Sequence, residues 1–239
     1  MKRHSMFLAA AMAALALLGP RAQAAEKIRL HLLQGGGHDW KGNFALLTDI
    51  LDKMGDFEVT ASQDLDELTA DNIKKYDVLL FYGSGNNFKS PEQEKGLLDW
   101  VHNGGAWVGV HSATDSFKQS DGYWEMVGGR FAGHGGGKFT VRIIDHEHPI
   151  TKGLEDFEVQ DETYSHNYHK NMCIRCLDRM DRGKEQQAMA WVSYYGTGRV
   201  FYTSNGHGRE AWANPAFQRL LVRGIYWAAG REVKDPPQK

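Results

Sequence analysis

The chain has 239 residues, 28 Lys and Arg against 30 Asp and Glu, and a formal net charge of −2, with 41% hydrophobic residues. This near-neutral balance gives no electrostatic footprint for nucleic acid, and two cysteines, Cys173 and Cys176, are too few for a disulfide-stapled scaffold.

Lys2 and Arg3 precede an almost wholly apolar run from Phe7 to Leu18, broken by Gly19-Pro20 and followed by Ala22-Gln23-Ala24. That order of basic start, apolar stretch and small-x-small site predicts a secretory signal peptide over 1–24. The run is short of the ~20 residues a spanning helix needs. The expected product is a secreted or periplasmic protein without a membrane partner after cleavage. Removing Lys2, Arg3 and Arg21 makes the remainder more acidic than the whole.

Ile28 to Leu33 reads as a strand ending in Gln34-Gly35-Gly36-Gly37. Leu47, Ile50, Leu51 and Met54 then recur at helical spacing, with Gly55 as the stop. Phe57 to Ala61 predicts a second strand. Tyr76 to Tyr82 is a nearly continuous apolar run, as expected of a strand covered on both faces. Ser90-Pro91-Glu92-Gln93 starts a helix: the hydroxyl can cap, proline suits the first position, and Gln93 can complete a capping box. Leu97, Leu98 and Val101 face inward before Gly104-Gly105 ends it, and Ala106 to Val110 gives another buried strand. This alternation predicts an α/β fold with a flavodoxin-like, doubly wound, mostly parallel sheet.

The second half is richer in strands. Lys138 to Ile144 and Trp191 to Tyr195 are candidates, the latter turning at Gly196-Thr197-Gly198 into Arg199 to Thr203 as an added antiparallel hairpin. Asn214-Pro215 opens a last helix with Phe217, Leu220, Leu221, Ile225 and Ala228 on one face and Gly230 at its end. One domain over 25–231 and a flexible charged tail over 232–239 are expected.

Ligands of open α/β sheets gather beyond the carboxyl ends of the strands. His38, His111 and His207 each follow a predicted strand and can converge there, although any one alone reads as a hydrogen-bonded loop histidine. Gly36 and Gly37 leave bare amides for an anion or a sugar hydroxyl, beside Asp39, which can also cap the next helix, and Trp40. The loop matches neither GxGxxG nor the phosphate loop, so no nucleotide is expected. At Gly109-Val110-His111-Ser112-Ala113 a strand runs into small residues where related folds carry a nucleophile elbow, with histidine in the nucleophile's place. An imidazole there can be base, acid or metal ligand. His134 sits in a second glycine-lined loop, and Glu162, after a predicted strand, offers a carboxylate. Histidines with a carboxylate suit zinc or a similar divalent ion, assembled from separate loops, with His38, His134 and His207 as ligands. His146 and His148 read as turn residues, and His166 and His169 as surface residues beside the cysteines. Tyr164, Trp40, Trp107, Trp124 and Trp212 are candidate faces for a sugar ring.

Several segments taken together resemble the ThuA-like (trehalose utilisation) family. They are Gly37-His38-Asp39-Trp40, Gly109-Val110-His111-Ser112-Ala113-Thr114-Asp115, Gly128-Gly129-Arg130-Phe131, His148-Pro149-Ile150, Asp161-Glu162-Thr163-Tyr164, the run from Gly198 to His207, and Arg223 to Gly230. The resemblance spans Ile28 to Gly230 and implies a class I glutamine amidotransferase-like fold without that nucleophile. It implies a carbohydrate partner, chemistry on 3-keto sugars, and functional roles for His38, His111, Glu162 and His207, with His134 beside them. Ser165 to Lys184 departs from the family pattern. The expected activity is a lyase or hydrolase cleaving a 3-keto-glycoside, with His111 or Glu162 as base; a non-catalytic sugar binder using the same pocket is the alternative. A homo-oligomer is compatible with either.

Overall fold

The computed structural model describes residues 26–181 and 187–237. The leader expected over 1–24 lies outside the described residues, as do the last two residues of the tail. No helix among the described residues is long and apolar enough to cross a membrane.

In chain order the elements are β1 (Ile28–Gly36), α1 (Trp40–Met54), β2 (Phe57–Ser62), α2 (Ala70–Ile73), β3 (Val78–Gly83), α3 (Pro91–His102), β4 (Ala106–Val110), α4 (Asp121–Val127), β5 (Gly129–Ile143), β6 (Phe157–Tyr168), β7 (Arg175–Asp181), β8 (Ala188–Tyr195), β9 (Gly198–Thr203), α5 (Arg209–Ala213) and α6 (Pro215–Ala228). They build one sheet in the order β2-β1-β3-β4-β9-β8-β7-β5-β6. The first five positions are parallel, in the flavodoxin-like order, and the last four strands are joined antiparallel.

Strand periodicity splits the core over the two faces of this sheet. Leu30, Leu32, Val78, Leu80, Val108 and Val110 point to one side with Leu47 and Leu51 of α1 and Leu221 and Ile225 of α6. Leu33, Leu79, Phe81 and Trp107 point to the other with Leu97 and Val101 of α3 and Met126 of α4. Each such side chain contributes about 1.5–3 kcal/mol by leaving water, so coverage of both faces explains the unbroken apolar runs of β3 and β4. Helix α6 lies close to β9: a Cβ on Gly224 would stand 2.2 Å from the Phe201 ring, so only glycine permits that approach.

Some local expectations change. Ser90 makes no capping bond to the backbone of α3; its hydroxyl goes to Glu92, while Gln93 Oε1 accepts from the Lys89 amide at 2.8 Å. The glycine-lined segment around His134 is strand, not loop. It forms the first part of β5, where pairing with β6 runs from Gly129↔Tyr168 to Val141↔Phe157. Asp161 and Glu162 therefore lie within β6 and do not follow a strand. His166 and His169, expected at the surface, are buried: the His166 ring meets Trp191 edge-on at 4.9 Å, and His169 meets Trp124 in the same way. The tail expected to be flexible is tied down as far as Asp235. Arg219 and Arg223 of α6 both pair with that carboxylate, and Lys234 pairs with Asp56.

Candidate functional site

The chain reverses its direction of winding between β1 and β3, which opens a crevice at the carboxyl ends of the parallel strands. Three strand exits deliver imidazoles to it. His38 leaves β1, His111 leaves β4 and His207 leaves β9, and one ring nitrogen of each lies within 4.8 Å of the others. The ring centroids of His38 are 4.9 Å from His111 and 5.1 Å from His207, both edge-on.

Each exit is shaped by the local sequence. Gly36 and Gly37 have φ of 111° and 98°, left-handed values that favour glycine, and turn β1 toward His38. The Asp39 side chain then accepts from the Gly42 amide at 3.2 Å and caps α1. His111 itself has φ of 50°, a strained position for a residue with a side chain, held at the bend where β4 ends. The 205–207 turn is clamped by Asp161, whose buried carboxylate accepts from Asn205 Nδ2 at 3.1 Å, Gly206 N at 2.7 Å and His207 N at 3.0 Å. Trp212 Nε1 and the Tyr82 hydroxyl donate to the Gly206 carbonyl on the other side.

The proton arrangement at His111 follows from its partners. Nδ1 donates to the Ser204 carbonyl at 2.7 Å, which turns Nε2 into the crevice. That nitrogen lies 3.0 Å from the Tyr164 hydroxyl, 3.3 Å from His207 Nδ1 and 3.5 Å from Glu162 Oε2. Glu162 Oε2 is also 3.3 Å from His207 Nδ1, while Oε1 faces His134 Nδ1 at 3.4 Å. The Glu162 carboxyl is held below its usual range chiefly by its contact with the His111 ring, against partial burial, with the neighbouring His207 and His134 rings acting in the same direction. Burial pushes His38 down to about 4, helped by repulsion from His111 and His207.

The donor set fits a divalent cation. A tetrahedral ion with ligands at about 2.0–2.1 Å has ligand–ligand edges of about 3.3 Å. His111 Nε2 and His207 Nδ1 are 3.3 Å apart, and His38 completes a set of three nitrogen donors within 4.8 Å of one another, with Glu162 Oε2 beside them at 3.3 and 3.5 Å as a neighbouring carboxylate. The tautomer of His111, fixed by a backbone carbonyl, is the outer-sphere support that metal-bound imidazoles use.

The sequence-predicted residues thus divide. His38, His111, His207, Glu162 and His134 come together, with His134 outside the imidazole cluster as the exposed partner of Glu162. Tyr164 is buried over the His111 ring at 4.4 Å, and so is no open face for a sugar. Trp107 and Trp212 are core residues, and Trp40 packs edge-on against Phe44. Asp161 was legible only as a neighbour of Glu162. Its role as clamp depends on the course of a strand that pattern alone does not show.

Four shielded histidines predict an acid-labile protein. His31 and His148 are pushed down to about 4 and His166 to about 3, each first by burial, alongside His38. Unfolded histidines take up protons from about pH 6.5 downward, and these folded ones do so only near 4 and 3. The unfolded state binds more protons across that window, so stability falls as pH falls from about 6.5 to about 4. Asp178, pushed up to about 7 by burial, and Asp161, raised for the same reason, act oppositely but are fewer. A urea midpoint that drops across this range is expected; a flat or rising one would count against neutral buried imidazoles.

A family model described as trehalose utilisation matches residues 30–228. Among curated proteins, none matches the sequence. A ThuA-like protein of Parabacteroides merdae superposes with a TM-score of 0.77 at 23% identity, covering 89% of this chain and 94% of that one. One from Bacteroides uniformis gives 0.71 at 19% identity over 90% and 97%. A cytoplasmic protein of Salmonella typhimurium gives 0.62 at 14% identity over 87% and 100%, a likeness of fold alone.

Proposed function

Because the chain belongs to the ThuA family of trehalose utilisation, and so has a carbohydrate-related role, we propose that the imidazole crevice cleaves a 3-keto-glycoside. The observation that carries the reading is the carboxylate of Glu162, held ionised beside three converging imidazoles.

A carbonyl at C3 acidifies the C2 proton, and Glu162 is the group placed to take it. Its Oε1 edge faces the exposed side of the crevice, where His134 lies 56% exposed. As the proton moves to Glu162, the C2–H electron pair forms the C2=C3 bond of an enolate, and the C3 oxygen gains the charge. Return of that charge to a C3 carbonyl shifts the double bond to C1=C2 and breaks the glycosidic C1–O bond. The departing oxygen takes a proton, for which His134, outside the imidazole cluster, is the exposed donor. The products are a free alcohol and an unsaturated 3-keto sugar, and water added across C1=C2 makes the net result hydrolysis. A divalent ion such as zinc, held by His38, His111 and His207, would supply Lewis acidity for the charge at the C3 oxygen. Neutral His38 and the fixed tautomer of His111 suit lone-pair donation to that ion, and make His111 a ligand in preference to a base. The leader pattern of residues 1–24 supports placing this chemistry outside the cytoplasm.

Turnover of a 3-keto-disaccharide tests the reading. The wild-type chain is expected to release the free sugar, with a chelator and His111→Ala each lowering the rate at least tenfold. Saturable heat on binding with no product would establish a sugar-binding protein in place of an enzyme, and an unchanged rate in His111→Ala would remove that residue from the mechanism.

A further inference from the structure

The hydroxyl of Tyr202 has no packing reason to exist. Tyr202 lies in β9, fully buried, with its ring 4.3 Å from Trp191. A phenylalanine would fill the same space without taking a polar group out of water. The oxygen instead meets three polar groups: the His111 carbonyl at 2.6 Å, Thr114 Oγ1 at 3.0 Å and His166 Nε2 at 3.3 Å. A phenol has a single proton, and a carbonyl can only accept, so the Tyr202 proton goes to His111. Thr114 and His166 must then be donors, which places the His166 proton on Nε2. Nδ1 of His166 is left with no hydrogen-bond partner among the described residues. The bond to Tyr202 is therefore the one hydrogen bond of the His166 side chain among the described residues.

The carbonyl that receives this proton belongs to the residue whose φ is 50°. Two bonds on opposite sides therefore pin His111. Its ring is held by the Ser204 carbonyl and its backbone by Tyr202. We propose that Tyr202, backed by Thr114 and His166, is a positioning residue. It locks His111 in the left-handed backbone conformation and thereby aims Nε2 at Glu162 and His207. The inference rests on the reading of His111 as functional, but not on the identity of the sugar.

The test uses the full chain carrying Tyr202→Phe, with Tyr123→Phe as a control. The Tyr123 hydroxyl is as buried and donates to the neighbouring Ala113 carbonyl at 2.9 Å, so its loss reports a generic buried hydrogen bond. Readouts are the melting temperature, the imidazole proton–nitrogen NMR signals of His111, and the split of kcat from KM on a 3-keto-disaccharide. Both variants are expected to melt lower. Only Tyr202→Phe moves the His111 signals and lowers kcat about tenfold, with KM within about twofold. Unmoved His111 signals in Tyr202→Phe, or equal changes in Tyr123→Phe, overturn the proposal. If Tyr202→Phe does not fold, Thr114→Val removes only the outer bond. It is expected to shift the same signals less and to cut kcat about threefold; wild-type spectra there overturn the proposal equally. Should the wild type turn over no keto sugar, the NMR signals alone decide the positioning, so its failure and that of the proposed activity remain distinct.

Discussion

Glu162→Gln is expected to lower kcat on a 3-keto-disaccharide by about 10²–10⁴-fold, the span over which a positioned general base acts, with KM changed little. The amide has the shape of the carboxylate and can still meet His207, His111 and His134, so the crevice keeps its form. What it lacks is basicity. The pH profile sharpens this result. The Glu162 pKa is depressed, chiefly by its contact with the His111 ring, so the base stays ionised below the ordinary carboxylate range of about 4.3. Activity assigned to Glu162 should therefore be flat from neutrality down to about pH 5 and fall only below it, with that acid limb gone in Glu162→Gln. The stability that goes with this depression has the same sign: it is present above the unfolded pKa and lost as pH falls through the folded one. A variant retaining more than about a third of wild-type kcat would place the base elsewhere.

Asp161→Ala is expected to be the more destructive change to the molecule. Its carboxylate takes three donors from a single turn, Asn205 Nδ2, Gly206 N and His207 N. The alanine leaves all three without that acceptor in a place shielded from solvent. Hydrogen bonds to a charged acceptor are worth about 1.5–3 kcal/mol each, while burial pushes the Asp161 carboxyl up and offsets part of that gain. A net loss of about 3–5 kcal/mol follows, comparable with other removals of one member of a buried charged set, and urea unfolding at neutral pH measures it. Activity should vanish with the turn that carries His207. Asp161→Asn distinguishes the two roles: its single oxygen can keep one or two donors, so it should fold more stably than the alanine variant yet remain slow. A loss under about 1 kcal/mol in Asp161→Ala would mean that Trp212 and Tyr82 alone hold the turn.

The parallel half of the fold was legible because its strands are covered on both faces. β3 and β4 read as continuous apolar runs, and the helices between them carry a helical period with clear starts and stops. Convergence of His38, His111 and His207 followed from topology, since each stands where a parallel strand ends. The outer half resisted for a physical reason. The first part of β5 is His134 among glycines, and glycine carries no side chain to reveal a period of two. The same stretch hides its partner, so Asp161 and Glu162 looked like residues after a strand when they lie in the middle of β6. Two facts central to the site have no sequence signal of their own. One is the left-handed backbone of His111, which a residue other than glycine rarely adopts. The other is the burial of His166, a polar residue in a polar stretch that is drawn in by Trp191 and Tyr202.

The proposed chemistry turns on one bond, the C2–H bond of the keto sugar, and following the reaction in deuterium oxide by proton NMR reads it directly. The expected spectrum shows the C2 proton lost to solvent in step with release of the free sugar in the wild-type chain, and neither event in Glu162→Gln. Cleavage that leaves the original C2 proton in the product would mean direct displacement at C1, and would contradict a carboxylate acting at C2.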